Sequence, residues 1–162
     1  MKNSDSFNIF IEHAVENKDS QYIPDDEDIH RWVSSALVSQ NKSDTTELGI
    51  RITDNTEIHN LNNTYRHKDK PTNVLSFPFE VPENFPESID NEYLGDIICS
   101  FEYINKEAKE QNKALKAHWA HIIIHGTLHL LGFDHIENSE AEIMEQKEID
   151  ILESLGYKNP YS

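Results

Sequence analysis

Across residues 115–131 apolar side chains fall nearly all round a helical wheel, the pattern of a helix enclosed by its own domain. Any fold this chain adopts must therefore wrap around that segment. Ala117, Ala120, Ile124, Leu128 and Leu131 form one stripe. His118, His121, His125 and His129, followed by Gly132, form the opposite one. A central helix carrying a ladder of imidazoles brings metal-binding groups to the middle of the domain.

Residues at i and i+4 share a helix face, so His125 and His129 can present two nitrogens to one ion. His135, further along the chain, is available as a third ligand. On an unbroken helix, at about 100° per residue, it would point roughly 240° away from His129. Gly132 supplies the necessary break, because glycine takes the left-handed conformation that ends helices and lets the chain turn back. Three histidines leave a tetrahedral position open for water, as in catalytic sites. All-nitrogen ligation suits one zinc ion per chain while admitting other transition metals. From the chain's own histidine and glycine content, such a triple arises by accident with an expectation of roughly 0.001. One metal site is therefore the better reading than three core histidines. His118 and His121 read as structural.

The spacing His, three residues, His, two residues, Gly, two residues, His equals that of the metzincin metalloproteases. Gly126 stands where that motif has its glutamate, the base that takes a proton from zinc-bound water. Peptide hydrolysis by that route is disfavoured. Zinc-bound water with a pKa near about 7 still acts as hydroxide, so other hydrolytic chemistry survives the loss.

The rest of the chain reads as a small α+β frame. Residues 7–10, 48–52, 74–79 and 94–100 alternate or run apolar like strands, and Pro78 marks an edge or a strand end. Ile29, Trp32, Val33, Ala36 and Leu37 recur at helical spacing behind the acids of residues 25–28. Asp54 with Glu57 resembles a capping box before Ile58, Leu61 and Tyr65, and Ser139 with Glu142 opens a last helix. Ala141, Met144, Glu148, Ile151, Leu152 and Leu155 give that helix one mostly apolar face, ended by Gly156. Segment 80–92, with Pro82 and Pro86, reads as an exposed loop or flap over a site. The expectation is one α+β domain over residues 1–162. It has a sheet of about four strands, about five helices and a zincin-like metal site on the central helix.

Composition narrows the function. The net charge of −16 argues against general binding to nucleic acid, which draws its affinity from many Lys and Arg contacts, although Arg66, Lys68 and Lys70 are locally basic. Cys99 is the only cysteine, so no internal disulfide forms, and it reads as a core residue in a reducing compartment. Residues 1–6 are polar, and the longest apolar run, 122–124, is far below spanning length. A soluble, cytoplasmic protein is expected, with no membrane partner.

The motif His125-Gly126-Thr127-Leu128-His129-Leu130-Leu131-Gly132-Phe133-Asp134-His135 closely resembles the signature of the YbeY family, bacterial metal-dependent endoribonucleases of rRNA maturation. A second block, Leu61-Asn62-Asn63-Thr64-Tyr65-Arg66 followed by Lys70-Pro71-Thr72-Asn73-Val74-Leu75-Ser76-Phe77-Pro78, resembles the family's other hallmark segment, and Leu94-Gly95-Asp96-Ile97 is a third match. Asn73 stands where many members have Asp. The resemblance spans about residues 48–156. It implies a single-strand-specific endoribonuclease that matures the 3′ end of 16S rRNA and serves late ribosome quality control, acting on RNA within the ribosome or its small subunit and not on DNA.

The same resemblance implies zinc on His125, His129 and His135, with Arg66 as the functional arginine. A guanidinium matches phosphate oxygens and can stabilise charge gathering on a scissile phosphate; its alternative is a cap at a helix C-terminus. Asp134 can orient a ligand, shuttle a proton or cap a turn, and Asp96 is unassigned. Competing readings are a metallopeptidase or amidase, which Gly126 opposes, and a non-catalytic ribosome-assembly factor whose metal ties the turn at Gly132.

Overall fold

Each expected strand forms, and in each the side chains that fall on one side are the ones that pack. The computed structural model describes residues 7–16, 20–80, 92–134 and 136–161. In chain order the elements are β1 (Asn8–His13), α1 (Asp26–Ser39), β2 (Thr46–Thr53), α2 (Asn55–Arg66), β3 (Val74–Pro78), β4 (Glu92–Ser100), α3 (Phe101–Glu110), α4 (Leu115–Leu130) and α5 (Asn138–Ser154). The four strands make one sheet in the order β1-β2-β4-β3. β1, β2 and β4 run parallel, and β3 closes one edge antiparallel to β4. Pro78 ends that edge strand, where its missing N–H costs no ladder bond. The fold is α+β.

Alternation divides the sheet into two faces. Leu48, Ile50, Ile52, Ile97 and Cys99 are buried with the large helices, while Leu75 and Ile98 face the other way and meet Ile58 of α2. α4 packs against α1, α3, α5, β3 and β4. Its buried residues fall on most sides, including Trp119, Ala120, Ile123, Ile124 and Leu128. That is the enclosed helix its apolar wheel requires. Gly126 sets how closely it sits on the sheet, since a Cβ there would meet Ile97 Cγ2 at 3.2 Å and Ser76 Oγ and Val74 Cγ2 at 3.4 Å. Burial pushes the Cys99 thiol up to about 12, so it stays a neutral core group as expected.

Helix boundaries follow their caps, with two corrections. Asp25 accepts from the Asp28 N–H at 2.8 Å, and Asp54 from the Glu57 N–H at 2.9 Å. The Glu57 carboxylate does not reach back to complete the box; Arg51 holds both of its oxygens, at 2.5 and 2.9 Å. Ser139 does not open the last helix. α5 begins at Asn138 with Glu137 as an uncapped, extended N-cap residue, which places Ser139 inside the first turn, where its hydroxyl cannot serve as the cap. Helix α3 was not foreseen as a separate element. Phe101, Ile104 and Ala108 form its buried face directly after β4, with no glycine or proline between, and Ser100 caps it. The expected flap, apart from Glu80 and Glu92, lies outside the described residues, as does segment 1–6. Among the described residues no helix is long and apolar enough to cross a membrane.

Candidate active site

The C-terminal end of α4 is shaped by its glycine. Gly132 stands at φ +100°, as the expected break requires. The Phe133 N–H donates to the Leu128 carbonyl at 3.1 Å and the Gly132 N–H to that of His129 at 3.0 Å, the two bonds of a Schellman turn. A Cβ on Gly132 would meet nothing within 4 Å, so backbone conformation alone demands glycine here.

Just before that turn His125 and His129 bring their Nε2 atoms 3.0 Å apart, with ring planes 80° to one another. Two nitrogens bound to one tetrahedral zinc at about 2.05 Å stand about 3.3 Å apart, so the pair converges at nearly ligand spacing. His135 lies outside the described residues, and among those described no group of three or more His, Cys, Asp or Glu side chains gathers to hold an ion.

A residue that sequence reasoning left on an apolar face completes the pair. Glu148 of α5 is fully buried, and its Oε1 lies 2.5 Å from His125 Nδ1. Burial pushes the carboxyl up, but hydrogen bonds from His121, His125 and Tyr161 outweigh it and bring Glu148 down to about 2. An ionised carboxylate only accepts, so His125 donates from Nδ1 and turns the lone pair of Nε2 toward His129. That is the tautomer a metal ligand needs. The signal was present in the sequence: a lone acid among Ala141, Met144, Ile151 and Leu152 must find a buried donor.

Arg66 ends α2, and His67 follows it in the left-handed conformation at φ 58°. Asn62 donates to the Lys70 carbonyl at 2.9 Å and ties down the basic loop after Arg66. Arg66 and the histidine pair line one cleft of about 860 Å³, together with Asn73, Ser76 and Asp134. No side-chain hydrogen bond or ion pair links Arg66 to another described residue, so this cleft-lining side chain is uncommitted. Asn73 donates to Glu107 at 3.1 Å, where an aspartate would set one carboxylate against another.

The other residues in question separate cleanly. His118 is buried, with Nε2 2.7 Å from Glu107, and His121 lies 3.4 Å from Glu148. Neither lines the cleft; both border a separate cavity of about 500 Å³. Asp96 is on the far face of the sheet, bonded by Tyr93, and borders a different cavity of about 630 Å³ that neither His125 nor His129 lines.

The family model for endoribonuclease YbeY matches residues 14–156. The chain belongs to the YbeY endoribonuclease family. YbeY membership implies a metal-dependent endoribonuclease of rRNA processing, with RNA as its substrate. The solution structure of TM1509 from Thermotoga maritima is similar over 91% of this chain and 88% of that one, with a TM-score of 0.60 and 22% identity. That likeness shows a shared fold.

Proposed function

We propose that this chain, as one cytoplasmic domain over residues 1–162, cleaves single-stranded RNA in 16S rRNA 3′-end maturation and late ribosome quality control. In this reading His125, His129 and His135 hold one zinc ion and Arg66 binds the scissile phosphate. The observation that carries it is the shared cleft, where two converging imidazoles and an uncommitted guanidinium face the same space.

When bound, a divalent metal supplies Lewis acidity at phosphate and a nucleophile at neutral pH. The chain's own residues do the rest. Arg66 offers a planar fork of donors to two phosphate oxygens and offsets the charge that builds on them. Glu148 keeps His125 in the ligating tautomer. Gly126 points its missing side chain at the sheet and supplies no base, which separates the site from the metzincins. Asp134 borders the cleft and is the acid among the described lining residues that can move a proton there.

End analysis of RNA cleaved by metal-reconstituted protein tests the proposal, with His129→Ala as control. A 5′-phosphate product identifies water as nucleophile, and a cyclic 2′,3′-phosphate identifies the ribose hydroxyl. Undiminished cleavage by His129→Ala would remove the metal site from the reaction.

A further inference from the structure

Glu148 is held on both oxygens. Oε1 accepts from His125, and Oε2 accepts from the hydroxyl of Tyr161 at 2.5 Å. Tyr161 is on the stretch that follows α5, and that stretch is tied in several places. Gly156 turns it at φ +91°, Trp32 donates to the Tyr157 hydroxyl at 3.3 Å, and Lys113 donates to the Pro160 carbonyl at 3.0 Å. The Tyr161 ring packs edge-on against His121, centroids 5.3 Å apart. His121 Nε2 lies 3.2 Å from the same hydroxyl. A phenol has one proton to give, and it goes to the carboxylate, so His121 is the donor in its contact with Tyr161. The result is a directed network in which His121 Nε2, 3.4 Å from Glu148 Oε1, shares its N–H between Tyr161 and that carboxylate, Tyr161 donates to Oε2, and His125 donates to Oε1.

We propose that Tyr161 is a positioning residue for the metal centre: by fixing the rotation of the buried Glu148 carboxylate, it fixes the orientation and tautomer of His125. This rests on the reading of His125 as a ligand. The physical need is clear from burial. A carboxylate with no exposed surface and one oxygen unpartnered would turn to share its remaining donors, His121 and His125, and that turn moves the bond that orients His125. Tyr161 is itself 47% exposed, so its hydroxyl is not placed there to fill the core.

The test measures zinc affinity of the full chain by competition with a chromophoric chelator, and records the visible spectrum of the cobalt-loaded protein. Tyr161→Phe keeps the ring against His121 and removes only the hydroxyl. Loss of a carboxylate partner to a ligating histidine costs about 10- to 100-fold in metal affinity, so Glu148→Gln should fall in that range and Tyr161→Phe should lose roughly 3- to 10-fold. Because both act on His125 along one chain, the double variant should bind no more than about twofold worse than Glu148→Gln. Tyr161→Phe should also shift the cobalt bands, which simple docking of the tail would not do. Wild-type affinity and spectrum in Tyr161→Phe, or fully additive losses in the double variant, would overturn the inference. His125→Ala is the separate control: zinc bound to it as tightly as to wild type would overturn the ligand reading itself, whatever Tyr161→Phe shows.

Discussion

The Nε2 atoms of His125 and His129 stand 3.0 Å apart, one turn from each other at the end of α4. A buried helix fixes that spacing without a loop. The groups that complete the site come from elsewhere in the chain, Glu148 from α5 and Arg66 from the end of α2.

Arg66 separates phosphate binding from helix capping. Arg66→Ala should keep metal content and folding and lose most cleavage of single-stranded RNA, whereas losing a surface cap costs on the order of 1 kcal/mol of stability and spares turnover. Arg66→Lys keeps the charge without the planar fork and should rescue only part of the rate. Rates are compared at matched metal occupancy and moderate salt; wild-type turnover in Arg66→Ala would take the residue out of the mechanism.

Gly126→Glu restores the metzincin pattern on paper. In the fold it drives a charged side chain at Ile97, Val74 and Ser76, where even a Cβ is already tight. Overpacking and an unpaired buried charge together should cost about 3 kcal/mol or more, lowering the melting temperature by roughly 6–12 °C. A variant that melts with the wild type would show that α4 has slack against the sheet.

Gly132→Ala tests backbone conformation without a change in packing, since the space beside Gly132 is open. Holding an L-residue at φ +100° should cost about 1–2 kcal/mol, and Gly132→Asn should cost less. Urea midpoints read the difference. Equal midpoints for alanine and glycine would mean that the turn can re-form with a negative φ.

Acid should selectively weaken the frame that carries α2. The hydrogen bonds from Arg51 hold the Glu57 carboxyl below its ordinary value of 4.5. A carboxyl lowered in the folded state adds stability above its unfolded pKa and loses it as pH falls through the folded one. Glu57→Gln should therefore be less stable than wild type at pH 7, and the gap should close below about pH 4.5. A gap independent of pH would assign the loss to packing.

Much of this was legible in the chain, because it rests on local rules. The wheel of residues 115–131, the acids before the first helix, the Asp54 cap and the glycine at position 132 each act within a few residues, and each appears in the fold at its expected place. What was not legible is long-range. Nothing local says that Glu148, 23 residues from His125, would meet its Nδ1, or that Glu57 would prefer Arg51 to its own helix N-terminus. The boundary between β4 and α3 was missed for a related reason: an apolar run changes period from two to 3.6 with no turn residue to mark it.

The direction of α4 has a consequence for the order in which ligands arrive. A helix carries roughly half a negative charge at its C-terminus, and His125 and His129 lie at that end. On a chain of net charge −16 that end of the cleft favours cations, with Arg66 as the positive charge that opposes it. In the proposed site the same field favours a divalent ion and leaves Arg66 to attract phosphate against it, so metal loading is expected to gate access to the substrate as well as its chemistry. RNA affinity measured with and without zinc reads that gate directly: binding that is equally tight in both would show that there is none.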